Sequence, residues 1–379
     1  MDYVINGWDR EWFKRCRRAW DFGSPTRQNY EPAVPPHSFT FDQAIRDALA
    51  VYYYPAMWDW EPAIVRRLTL KGFVDSLTKQ RVASGYDPLP DAHLQEWEEH
   101  LALGQAVLEH YFEWAPLVDR FSPILVATEY RADVIDPRSP GRELTTVDGD
   151  AVRYRGRIHL SIVDEHDDHW LVHHRVVDGP WDDIGLLSLD DAALASCWAW
   201  EHFSLMPLAG MIFNEVRAAL PSPEQRVAAQ LSDRRRLDLA RKRGSVGQNV
   251  HRPRSLTEKK LPPGAEQQGN DFFRRSQVPV SRARLADVAA RIGWESLEMM
   301  SEGLLLYPDP VRENCSECPY RRPCVAMGDG VDVAPMLAAD FRQKQQRVDE
   351  VSLGGLFGLN PNQMRVREHQ SSYRPRTHP

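Results

Sequence analysis

No stretch of this chain approaches the ~20 consecutive apolar residues that a membrane helix needs. The opening Met1-Asp2-Tyr3-Val4-Ile5 has no basic segment ahead of an apolar core. The first absence argues against a membrane protein and the second against a secretory signal, so the expected location is cytoplasmic. Cysteine is scarce, and its count, 5, is odd, which excludes a disulfide scaffold. Positive charge is not in excess either. A net charge of −7 excludes a protein that binds nucleic acid over its whole surface, but leaves room for a local basic face. No internal repeat is visible. What is present is ordinary for a globular protein: 42% hydrophobic and 27% charged residues, with 12 Trp for the core. The 379 residues suffice for two domains or one elaborate one.

Helical periodicity is expected over 8–22, 40–54, 60–82 and 91–114. Ile124–Tyr130, Ala151–Val163 and Trp170–Val177 read as strands, the last two joined in an antiparallel hairpin by the acidic turn Asp164–Asp168. Residues 189–218 read as helix. Between 223 and 284 there are fifteen Lys/Arg against six Asp/Glu, in dense clusters at Arg234-Arg235-Arg236 and Arg241-Lys242-Arg243. This segment is expected to be an extended basic insertion. Helices are expected at 281–303 and near 335–350, with a disordered polar tail beyond.

The cysteines carry the sharpest signal. Cys315, Cys318 and Cys324 form a C-x2-C-x5-C run, and Cys16 stands far away near the start. A C-x2-C loop lets two thiolates grip one metal centre, and four thiolates suit zinc or an iron–sulfur cluster. Cys197, between Ser196 and Trp198 on an apolar segment, reads as a core thiol.

This layout, with Cys16-Arg17-Arg18-Ala19-Trp20 near one end and the cysteine run near the other, resembles the RecB-type nucleases of the PD-(D/E)XK superfamily. It is most similar to their iron–sulfur branch, which includes CRISPR adaptation and phage exonucleases. The resemblance implies an α/β fold: a PD-(D/E)XK nuclease-like core (small mixed sheet flanked by helices), an N-terminal helical lobe and a C-terminal iron–sulfur segment. It implies divisions at 1–120 (helical lobe), 121–220 (core), 221–284 (basic flexible insertion), 285–350 (C-terminal helix and cysteine segment) and 351–379 (tail). It also implies a [4Fe-4S] cluster on Cys16, Cys315, Cys318 and Cys324, with zinc as the alternative. Phe41–Leu49 is similar to the family's G-x-x-x-H helix. Glu129 resembles the strand glutamate, Gly156–Leu160 the G-x-[IV]-D strand, Val172–Val176 the [DE]-x-K strand, and Ser196–Trp200 the Q-x3-Y helix.

Each catalytic position but one departs from that pattern. The family His is Arg46, the metal-binding Asp is His159, the acid of [DE]-x-K is His173, its Lys is Arg175, and the Gln is Ser196; only Glu129 is kept. Mg2+ and Mn2+ prefer oxygen ligands, and an arginine stays protonated and cannot serve as a base. The expectation is a pseudo-nuclease with no catalytic Mg or Mn. Two other readings stand beside it. In one, Asp164 or Asp168 is the true catalytic Asp. In the other, His159, His173 and Glu129 form a soft-metal site. His166, His169 and His174 are expected on the hairpin surface.

If Arg46, His159, His173 and Arg175 converge, the pocket is basic and can hold phosphate directly. The bland alternative pairs these side chains with Glu129 and Asp47. The expected DNA-binding residues are therefore Arg46 and Arg175 in the pocket, and Arg234, Arg235, Arg236, Arg241, Lys242 and Arg243 in the insertion. The expected partners are DNA, without sequence preference, and a nuclease, helicase or other DNA-processing subunit. The competing functions are an active exonuclease with displaced catalytic residues and a purely protein-binding scaffold.

Overall fold

The computed structural model describes residues 2–33, 40–84, 89–204, 206–220, 222, 265–344 and 373–374. They form an α/β protein built on a seven-stranded mixed sheet with helices on both faces. The strands are β1 Tyr3–Asn6, β3 Phe121–Asp133, β4 Val152–Asp164, β5 His169–Val177, β6 Leu208–Arg217, β7 Glu266–Gly269 and β8 Phe273–Pro279. A second, two-stranded sheet pairs β2 (Tyr30–Pro32) with β9 (Phe341–Gln343). No described helix is long and apolar enough to cross a membrane.

β3 runs along one edge of β4, Phe121 opposite Asp164 and Asp133 opposite Arg153. The other edge of β4 is shared. β1 pairs with 152–155 in parallel, and β5 pairs with 160–163 antiparallel. Residues 156–159 between them face no described strand on that edge, so the sheet forks there. β5 and β6 are parallel and in long register, from Trp170 opposite Gly210 to Val177 opposite Arg217. The hairpin through the acidic turn is as the alternation in sequence predicts. Asp164 closes it by accepting from the His166 and Asp168 backbone N–H groups and from Trp170 Nε1.

One face of the sheet is covered by α3 (Phe41–Tyr52), α4 (Pro62–Ser84) and α5 (Asp91–Val118). Ile45, Leu49, Phe73 and Phe112 from these helices pack with Leu160, Ile162 and Val172 of the sheet. The other face is covered by α1 (Gly7–Arg15), α7 (Asp191–Phe203) and α8 (Arg282–Met299), where Phe13, Trp198 and Ile292 meet Ile158, Leu171 and Phe213. The intervening short helix α6 is Ile184–Leu187. After α8 come α9 (Arg312–Cys315), α10 (Arg321–Gly328) and α11 (Ala334–Asp340). Val126 and Leu160 sit in one core, whereas Tyr130 and Ile158 sit in the other. Ala127, whose φ of 48° is left-handed, lies between Val126 and Tyr130, while the register of β3 on β4 shifts at Pro123–Leu125.

Several expectations are corrected. The helix expected over 8–22 is interrupted at Cys16, whose extended backbone separates α1 from α2 (Arg17–Gly23). The helix expected over 189–218 stops at Phe203, and Leu208–Arg217 is a strand. That strand is buried on both faces from Gly210 to Val216, and a continuous apolar run looks the same in helix and strand. Of the expected basic insertion, 223–264 lies outside the described residues. Residues 266–269 and 273–279 are strands of the main sheet, with Arg274 and Arg275 buried at 8% and 7% exposure. The charge run misled there because both guanidiniums have buried acidic partners, Glu215 and Asp119. The last expected helix ends at Asp340 and gives way to β9. In the expected tail, Tyr373 and Arg374 dock on Asp167, Ser122 and Trp58; the rest lies outside the described residues.

Candidate functional site: a sheet fork and a four-thiol seat

His159 sits at the fork. Its Nδ1 accepts the backbone N–H of His174 at 3.2 Å, standing in for the ladder hydrogen bond that β4 and β5 no longer make. The ring of His159 lies parallel to that of His174, which in turn lies parallel to Tyr53, with centroids 6.2 and 5.8 Å apart. Asn214 orders the tautomer of His174. Its Oδ1 accepts from Tyr111 and from Arg275 Nε, so its amide nitrogen faces His174 Nδ1, at 2.9 Å. Both imidazoles therefore carry their proton on Nε2.

Burial keeps these rings neutral. His159 is pushed well below the usual histidine range by desolvation, then by His173 and Arg46. Desolvation, followed by Arg275, takes His174 down to about 3. His173 falls to about 4 by burial, against the opposing pull of Asp190. The Nε2 atoms of His173 and His174 are buried without hydrogen-bond partners.

The fork opens into a small cleft of about 30 Å3 lined by Gln43, Arg46, Asp47, Ala50, Ala127, Arg157 and His159. The one carboxylate there is already engaged. Asp47 Oδ1 accepts from Gln43 at 2.8 Å and lies 3.8 Å from Arg157, and its Oδ2 accepts from Ser76 at 2.7 Å. Arg46 pairs with Asp42 at 2.8 Å. A hard cation would meet one tied carboxylate, two guanidiniums and an N–H. Among the described residues no group of three or more His, Cys, Asp or Glu is arranged to hold a metal ion.

The expected basic pocket does not assemble as a unit. Arg46, on α3, and His159 line the same cleft, but Arg175 lies over Phe213 on the opposite side of the sheet, paired with Asp182 at 3.1 Å and 3.9 Å from Asp190. His173 also packs against Phe213, but its ring stays 5.6 Å from that of His159. The cause is the strand alternation: His173 and Arg175 share one face of β5, and His174 takes the other. Glu129 is exposed and pairs with Arg155 rather than with the histidines. Ser196 is buried against Tyr130 and bonded back to Ala192. His166 is on the surface as expected, but His169 and His174 are buried, at 4% and 1% exposure. Asp164 is consumed by the turn, which removes it as a metal ligand, and Asp168 is an exposed turn residue. Arg234, Arg235, Arg236, Arg241, Lys242 and Arg243 lie outside the described residues. The sequence reading missed Gln43, Ala127 and Arg157. Arg157 was within reach, since it stands two residues before His159 on the same strand face.

The four cysteines lie near one another, each of the other three acting on the Cys318 thiol, although their side chains are not arranged as a ready metal site. Cys16, Cys315, Cys318 and Cys324 are all half-buried and free of disulfides. The Cys318 thiol is raised by burial first, then by the other three cysteines together. The Asp309 backbone N–H donates to Cys16 Sγ at 3.5 Å, and Arg18 Nη1 donates to Cys324 Sγ at 3.8 Å. Asn314 ties the seat together by donating to the Arg15 carbonyl and to Asp309. Tyr320 stacks between Phe22 and Phe341 and donates to the Tyr30 carbonyl at 2.7 Å. Four thiols with N–H donors already aimed at two sulfurs match the donor chemistry of a thiolate-bound metal centre. Cys197 is fully buried in the α7 core, with its thiol raised by desolvation.

No protein-family model matches the chain, and no curated protein matches it.

Proposed function

We propose that this chain is a catalytically degenerate RecB-like PD-(D/E)XK nuclease-family protein. In this reading it carries a [4Fe-4S] cluster on Cys16, Cys315, Cys318 and Cys324 and acts as a non-catalytic DNA-binding subunit of a DNA-processing or defence complex. The observation that carries the loss of catalysis is the fork. Where a hydrolytic site needs converging carboxylates, neutral imidazoles fill the split between β4 and β5, and the one acid lining the cleft, Asp47, is spent on Gln43, Ser76 and Arg157. The mixed sheet with helices on both faces and the four-thiol seat support the family reading. When bound, the cluster supplies a cross-link between distant parts of the chain and a one-electron couple. The protein's own residues hold it by thiolate, N–H and guanidinium contacts.

DNA contact in this reading falls to the basic segment 226–260 rather than to the cleft. Arg46, Arg157 and Arg175 each have an acidic partner already. That pairing favours a second reading, a scaffold for protein contacts alone. One experiment separates the two from each other and from an active exonuclease. Linear single- and double-stranded DNA are incubated with the protein in Mg2+ or Mn2+, and binding is followed by fluorescence anisotropy across a salt series. The expected outcome is no cleavage, with affinity falling as a power of salt concentration. Reversing charge at Arg234, Arg235, Arg236, Arg241, Lys242 and Arg243 should abolish that slope. Metal-dependent cutting would overturn the reading, and an absence of binding at low salt would leave the scaffold.

A further inference from the structure

Arg18 follows Cys16 by two residues, at the start of α2. Its backbone is fixed by a bond to the Tyr307 carbonyl at 3.2 Å, and its guanidinium reaches Cys324 Sγ at 3.8 Å. Its Nε is buried with no hydrogen-bond partner. Among the described residues no carboxylate lies within ion-pair distance of it, whereas neighbouring Arg17 meets Glu298 and Arg10 meets Asp191 and Glu295. A partly buried guanidinium without a counter-anion is costly. A metal centre held by four thiolates carries net negative charge and supplies that counter-anion.

We infer that Arg18 is a positioning residue that sets the reduction potential of the cluster held by Cys16, Cys315, Cys318 and Cys324. The inference rests on the cluster assignment above. Reduction adds one electron to the cluster and moves no proton or bond, so the reduced centre is one charge more negative. A cation and an N–H donor at Cys324 favour that form and raise the potential. The Asp309 N–H at Cys16 acts in the same sense from the opposite end of the chain. Arg321 is the natural control, since it is exposed at the start of α10 between Cys318 and Cys324 and its guanidinium donates to the Ser316 carbonyl at 3.4 Å.

The test is an anaerobic dithionite titration of the full chain, followed by electron paramagnetic resonance of the reduced cluster, after iron and sulfide have been quantified. Arg18→Gln should titrate at a more negative potential than the parent. Arg18→Lys keeps the charge but loses the planar reach to sulfur, and should show a smaller shift of the same sign. Arg321→Gln should titrate with the parent. Iron-loaded Arg18→Gln with the parental potential overturns the inference and leaves the cluster standing. Should Arg18→Gln lose its iron, Arg18→Lys decides, and a parental potential there overturns the inference. A parent that holds zinc, or no metal, overturns the cluster assignment and the inference with it.

Discussion

The histidines of the fork make a pH-dependent contribution with a definite sign. His173 and His174 titrate at about 4 and about 3 in the folded chain, against about 6.5 when unfolded. Below pH ~6.5 the unfolded state therefore binds protons that the folded state refuses. Their contribution is fully present above the unfolded value and is lost as the pH falls toward the folded one. Each such group adds a slope of at most about 1.4 kcal/mol per pH unit. Urea unfolding at several pH values between about 7.5 and 5 should show the parent weakening. His173→Phe keeps a ring against Phe213 and should weaken less steeply; an equal slope would show that His173 titrates freely. The buried pair Arg275–Asp119 makes a second residue-scale prediction. Arg275 also donates to Tyr53, Tyr111 and Asn214. Asp119→Asn leaves that guanidinium without its counter-charge and should cost about 3–5 kcal/mol in denaturant unfolding. The double change Asp119→Leu with Arg275→Met should cost less than Asp119→Asn alone.

Among the elements, α4 and α5 meet closely at a glycine. A Cβ on Gly104 would stand 1.9 Å from Phe73 Cζ. Gly104→Ala should therefore lower stability by about 1–3 kcal/mol, the usual cost of overpacking, and Phe73→Leu should recover part of the loss. Cys197→Ala, in the core under α7, should cost only about 1 kcal/mol and leave the metal content unchanged. Legibility in sequence follows the same physics. The half-buried strands β4 and β5 alternate cleanly, and their hairpin was readable. β6 is buried on both faces, loses its alternation and reads as helix. β8 hides two arginines whose partners come from β6 and from the end of α5, more than fifty residues away. At the candidate site, the four cysteines were legible because their spacing is local at one end and their chemistry is rare. The separation of Arg46 from Arg175 was not, because it depends on Arg175 taking the face of β5 turned away from α3, which carries Arg46.

At the scale of the whole molecule, the two ends of the described chain are interleaved rather than set apart. Tyr3–Asn6 enters the main sheet beside β4, and Tyr30–Pro32 pairs with Phe341–Gln343. The cysteine seat lies beside a small third core of Ala19, Phe22, Tyr320, Leu337 and Phe341. In the proposed cluster reading, Cys324→Ala should yield protein with less iron and less brown colour than the anaerobically purified parent and a lower thermal midpoint, since a metal held by distant ligands stabilises the folded chain. An unchanged midpoint with iron lost would show that the third core alone holds the two regions together.

That interleaving also sets a schedule for synthesis. β2 waits for a partner strand made some 310 residues later, as Tyr30 pairs with Gln343. At about 5–20 residues per second, the wait on the ribosome is roughly 15–60 s. Throughout it the strand edge, Cys16 and the aromatic face of α2 have no C-terminal partner, so nascent chains of this protein offer an unpaired thiol and an open edge until the last segment emerges.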